Sequence, residues 1–360
     1  MKVAVIAFSV MTIAATSYYL LSPNQVAVTQ NSKKSSIQDD ATVITDINPG
    51  RVDASWGDMQ SHIKALRSKK NDALYQLQTL TSSELISVIK HALASNDTDK
   101  LNLAESLLIS LADSNPSIAA ELKQLIKEHP EHESHLIWLL AEMATPESLS
   151  TIISLINEES LSEPAAQSLA LVSIADIGKK RSTQGNFRTE LTAVLLPELQ
   201  QLDFSSDLFK AAATGLGSIG DTQGITALLS TAKNNPDNAN VQHIVERALM
   251  STRNLDAIKP LAEQLDFIGT DPIALIAGNA LANMGKSQAT QVLLDWAGKL
   301  EHNNLDTQVI SWMQQIRDPE SVSLILNSAD KLAFKNPELL SQIQQTVEQK
   351  HQQATPVITQ

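Results

Sequence analysis

Three histidines, His129, His132 and His135, recur at three-residue spacing among Glu128, Glu131 and Glu133. Imidazoles beside carboxylates are a donor set for a zinc-type ion, and on one helix two of the three could share it. Pro130 stands between the first pair and places His129 at a helix boundary. The run therefore reads as an acidic, solvated helix start, and no metal is assigned to it. Gly215-Leu216-Gly217-Ser218-Ile219-Gly220 matches the dinucleotide fingerprint as a string. That chemistry needs a strand before the glycines and a helix opening within them, so that a pyrophosphate meets free N–H groups. Here residues 209–214 have a helical pattern and the last glycine falls at a helix C-terminus, the wrong end for a phosphate. Close packing and a cap account for the glycines better. Ser-His-Asp catalysis has no elbow motif to sit in, and Glu158-Glu159 follows an apolar helix as a solvated turn. No catalytic residue and no cofactor is assigned.

Two other groups of residues suit binding. Lys179, Lys180, Arg181, Phe187 and Arg188 form the most basic stretch of an acidic chain, in a place where a helical hairpin tolerates an inserted loop. An acidic partner or lipid head groups would be its natural target. The second group is a row of polar residues at helical spacing, including Asp256, Lys259 and Glu263, then Gln288, Gln291 and Asp295. Amides mixed with carboxylates suit hydrogen bonding to a protein segment, including a basic one.

The elements that must position these rows follow a period. Met143, Ile177, Ile219, Thr252, Met284 and Ile316 each end an apolar run, at gaps of 34, 42, 33, 32 and 32 residues. Such a period marks stacked helical hairpins, and the gap of 42 is one period plus an insertion of about eight. Two residues after an anchor stand Thr145, Asp221, Asn254 and Asp318, side chains that accept a bond from a helix's first turn. Pro146 and Pro319 follow at the first helical position. Gly178, Gly220 and Gly285 sit where the preceding helix is expected to turn left-handed. Offsets six, nine and ten from the anchor are apolar except at Thr290. Offsets four, seven and eleven are polar, from Glu147, Ser150 and Ser154 to Glu320, Ser323 and Asn327. Each hairpin thus has one face to bury and one to keep wet, and stacking neighbours buries the first.

On Leu216-Gly217-Ser218-Ile219-Gly220-Asp221 and, more loosely, Leu281-Ala282-Asn283-Met284-Gly285-Lys286, the chain resembles the HEAT-like repeat family, including the short repeats of phycobilin-lyase-type proteins. The resemblance spans roughly 85–332. It implies an all-α fold, an α-solenoid of stacked antiparallel hairpins, and is nearly silent on activity. HEAT-like di-iron hydroxylases use several His-Glu dipeptides. Only His132-Glu133 occurs here, so that likeness fails.

The 360 residues carry 40 acidic against 27 basic side chains, a formal charge of −13. That balance argues against a nucleic-acid backbone as partner, which needs clustered cations. The absence of cysteine removes thiol chemistry. Residues 3–21 form an uncharged, mostly apolar run behind Lys2, long enough for an export signal or a membrane span. No strong small-x-small cleavage site follows. A signal anchor facing the periplasm and a cleaved signal, leaving a periplasmic or secreted protein, both remain open.

The expected organisation is a signal or anchor at 1–21 and a flexible linker at 22–53. A helical cap with a degenerate repeat follows at 54–130, then HEAT-like repeats at 131–332, and a capping helix with a loose tail at 333–360. The expected function is a protein-binding scaffold that holds another protein or peptide on the polar face of the second helices. The alternatives are a lyase-type or enzyme-maturation factor, and a steric chaperone for a secreted protein.

Overall fold

The structure, a computed structural model, describes residues 80–182, 187–200, 203–266, 272–300, 305–328 and 334–354. By its contacts the chain divides into Met1–Asp72 and Ala73–Gln360, and every described residue belongs to the second unit. The expected signal or anchor, the linker and residues 54–79 of the cap segment lie outside the described residues.

These residues are all-helical, with no strand among them. The chain begins with α1 (Ser82–Ser95), α2 (Thr98–Ala112), α3 (Ser117–Glu128) and α4 (Glu133–Met143). Next come α5 (Pro146–Asn157), α6 (Pro164–Ser182), α7 (Arg188–Leu199) and α8 (Asp207–Ile219). After them are α9 (Thr222–Asn234), α10 (Ala239–Met250), α11 (Ile258–Leu265) and α12 (Pro272–Asn283). The last four are α13 (Ser287–Ala297), α14 (Asp306–Gln315), α15 (Pro319–Leu326) and α16 (Pro337–Ala354). None is long and apolar enough to cross a membrane.

Every helix packs against the one two places along. The even-numbered helices therefore form one row from α2 to α16, and the odd-numbered helices a second row from α1 to α15. Between the rows lies one continuous apolar core. All six anchor residues are buried in the structure, from Met143 to Ile316. So are Leu149, Ile152, Leu191, Leu195, Ile225, Leu228, Leu261, Leu293, Leu294, Val322 and Ile325. Thr290, the one polar residue of the apolar series, is buried with its neighbours, whereas Leu326 at the end of α15 is exposed.

Helix starts fall where short polar side chains can take up free N–H groups. Thr145 caps α5, accepting from the Ser148 N–H while Ser148 Oγ takes the Thr145 N–H. Asp221 caps α9 through Gly224, and Asp318 caps α15 through Ser321. Asn254 caps a short 3₁₀ turn, Leu255–Ala257, that leads into α11.

Gly220 and Gly285 take the left-handed conformation, each with φ of +65°. Gly178 does not. Helix α6 runs on through Ser182, so Gly178 lies inside it. Its job is close approach, because a Cβ there would stand 2.7 Å from the carbonyl oxygen of Gly215 in α8. The turn expected after Ile177 is replaced by one more turn of helix, which absorbs part of the long gap in the period.

Candidate partner-binding face

The polar row of the second helices lies on the wet side of the odd-numbered row. Glu147, Ser150, Gln223, Thr226, Ser230, Asp256, Lys259, Glu263, Gln288, Asp295, Glu320, Ser323 and Asn327 are exposed, and Ser154 and Gln291 are half-buried. The cause is periodic. Offsets four, seven and eleven lie on one stripe of a 3.6-residue helix, opposite the apolar stripe that the core takes.

Between α13 and α15 this stripe folds into a groove of about 370 Å³. Ser287, Gln288 and Gln291 form one wall; Glu320, Ser323 and Asn327 form the other, with Leu324 between. Internal hydrogen bonds decide what the groove offers. Gln291 Nε2 donates to Asp295 Oδ1 at 2.7 Å. Asn327 Nδ2 donates to the Ser323 carbonyl at 2.8 Å and to Ser323 Oγ at 3.2 Å. One N–H of Gln291 and the Asn327 amide nitrogen are thus engaged within their own helices, and their oxygens remain as acceptors beside the Glu320 carboxylate.

The basic stretch divides. Lys179, Lys180 and Arg181 belong to the last turn of α6 rather than to a loop. Arg181 is buried, and its Nε and Nη2 donate to the carbonyls of Ala144 and Met143 at 2.9 and 3.0 Å. Its Nη2 also reaches Asp113 Oδ1 at 2.6 Å. Lys180 Nζ donates to the Ala141 carbonyl at 3.2 Å and to Glu142 Oε1 at 2.7 Å. Two cations from α6 therefore satisfy the open carbonyls at the C-terminus of α4, where positive charge is favoured.

Phe187 has φ of +63° and lies with its ring 5.3 Å from the Arg181 guanidinium carbon. Expected as a free binding loop, this part of the stretch is tied into the fold. Arg188 meets the polar row, its Nη1 3.0 Å from Asp256 Oδ2. Lys179 is exposed, and Lys259 and Glu263 stand exposed on α11.

The three histidines are on separate pieces. His129 ends α3, His132 closes the 3₁₀ turn Pro130–His132, and His135 lies within α4. Glu131 Oε1 sits 3.1 Å from His129 Nδ1 and 3.9 Å from His132 Nε2, while His135 Nε2 bonds the buried Glu105. No group of three His, Cys, Asp or Glu side chains able to hold a metal ion occurs among the described residues. Glu133 is buried and structural, accepting from the Ser162 N–H and hydroxyl and from the Glu163 N–H ahead of α6.

Sequence reasoning missed this cap and the Arg181 clasp. Both link residues about 30 to 40 positions apart, and the one available signal was the extra length of the α6 repeat. Trp312 is buried, and its indole N–H donates to Asn279 Oδ1 at 2.7 Å.

No protein-family model and no curated protein matches the chain.

Proposed function

We propose that this chain is a binding scaffold: a HEAT-like solenoid whose odd-numbered row presents its polar stripe to an extended segment of another protein. The observation that carries the reading is the polar row itself. It recurs on α5, α9, α11, α13 and α15, none of its side chains is buried, and it forms a groove where α13 meets α15. A row of one helix type stacked on its like, with each helix touching its neighbour two places along, supports the solenoid.

A rigid row suits this role because an ordered wall loses little conformational entropy on binding. The stripe carries Glu147, Glu263, Asp295 and Glu320, with Asp256 paired to Arg188, against Lys259, so a basic segment is favoured over an acidic one. Export, with a signal or anchor at 3–21 and a periplasmic location, belongs to the same proposal. It rests on the apolar run behind Lys2.

The test is capture of partners from an extract of the source cell by full-length chain, compared with a variant in which Asp256, Glu263 and Asp295 are all changed to Ala. All three are exposed, so folding is expected to survive, with helicity checked by circular dichroism. Loss of the captured proteins is the expected result. The same proteins captured equally by the variant would remove this face from consideration.

A further inference from the structure

We infer that the groove between α13 and α15 is a subsite for an arginine side chain on the extended segment, with Glu320 as its counter-charge. This rests on the scaffold reading above and assigns the chemistry that one part of it recognises.

The argument starts from donors and acceptors. A guanidinium offers five N–H donors in a plane and accepts none. The groove offers it several acceptors and one carboxylate. One N–H of Gln291 is held by Asp295 and the Asn327 amide nitrogen by Ser323, which leaves both side-chain oxygens as acceptors, while the second Gln291 N–H and the Gln288 amide nitrogen stay as donors at the rim. Ser287 and Ser323 add hydroxyl oxygens, and Glu320 adds a carboxylate that pairs with no cation among the described residues.

No cation lines the groove. Lys286 and Arg317 each stand before the helix that forms a wall, outside the lining. Leu324 gives an apolar strip for the arginine stem, which packs against such surface while its head stays polar. The lining runs from Glu320 to Asn327, two turns of helix and roughly 10 Å, the reach of about three extended residues. One side chain and the main chain on either side of it therefore fill the groove.

The experiment is an NMR titration of the ¹⁵N-labelled full chain with the peptide acetyl-Gly-Ser-Arg-Ser-Gly-amide. It follows the side-chain amide signals of Gln288, Gln291 and Asn327. The expected result is saturable shifts of those signals that weaken with added salt, because the pairing is exposed. Glu320→Gln should weaken binding about tenfold, the size of one charge-assisted hydrogen bond. Ser323→Trp, at an exposed position that tolerates it, should fill the groove and abolish the shifts.

The matched peptide with citrulline for arginine keeps shape and removes charge, and should not bind. The proposal is overturned if the arginine peptide gives no shifts, if citrulline binds as well, or if Glu320→Gln binds unchanged. Those outcomes leave the scaffold reading to the capture experiment, whose triple variant does not touch Glu320. Loss of capture there with no effect of Glu320→Gln here would sink this subsite alone.

Discussion

Gly217 shows how tightly single residues hold this fold. It lies inside α8 against α10, and a Cβ on it would stand 2.0 Å from the Ala248 carbonyl oxygen. That neighbour is backbone and cannot swing aside. Gly217→Ala is therefore expected to lower stability by about 3 kcal/mol, the upper end of overpacking costs. Gly285→Ala is the control. At its φ of +65° an alanine is strained, but a Cβ there meets nothing within 4 Å. Only the left-handed penalty of about 1 kcal/mol applies. Urea unfolding of both variants measures the difference, and equal losses would mean that the close approach of α8 and α10 does not matter. The same packing removes Gly215 and Gly217 from phosphate chemistry, because both are covered by neighbouring helices.

Neighbouring elements are clasped across the odd-numbered row by polar side chains at helix ends. Glu158, just past α5, receives Lys123 Nζ at 2.6 Å and Lys127 Nζ at 3.0 Å from α3, with Ser154 Oγ at 2.6 Å from its own helix. The hydrogen bonds from Lys123, Ser154 and Lys127 favour the ionised form and hold its pKa at about 2, below the ordinary 4.5. The sign follows from linkage. A carboxyl whose pKa falls on folding contributes stability that is whole above 4.5 and is lost as pH drops toward 2. The unfolding midpoint of the native chain should thus exceed that of Glu158→Gln at pH 6, and the gap should close between pH 4.5 and 2. A gap of the same size at pH 2 would show that the clasp is not electrostatic. Because Glu158 is exposed, the effect should also shrink in salt.

Among the described residues, the main helix contacts are with helices one, two or, for α9 and α12, three places along. In the proposed solenoid, stability is close to a sum of local interfaces. The interfaces are unequal. Helices α6, α8 and α10 approach through Gly178, Gly215 and Gly217, whereas α1 and α16 each have neighbours on one side alone within the described residues. Hydrogen exchange should therefore be slowest in α8 and α10 and fastest in α1 and α16. Uniform protection from end to end would contradict this and indicate one indivisible folding unit.

Much of this was legible in the residues themselves. Apolar and polar positions at helical spacing, with Thr145, Asp221, Asn254 and Asp318 as caps, determined the helices, their starts and the wet stripe, because these are local and repeat. The left-handed turns at Gly220 and Gly285 follow from glycine's freedom at a helix end. What only the tertiary structure decided lies in contacts between residues distant along the chain. Lys180 and Arg181 look like a free basic loop until α6 is seen to continue and bring them onto the carbonyls of α4. Gly178 looks like a cap until α8 is seen against it. Arg188 and Asp256, two separate candidates in sequence, form one ion pair. The groove likewise exists because α13 and α15 lie side by side, and internal hydrogen bonds there engage amide N–H groups of Gln291 and Asn327. A one-dimensional pattern reports which face is wet, and only the approach of neighbouring helices settles which donors and acceptors remain on it.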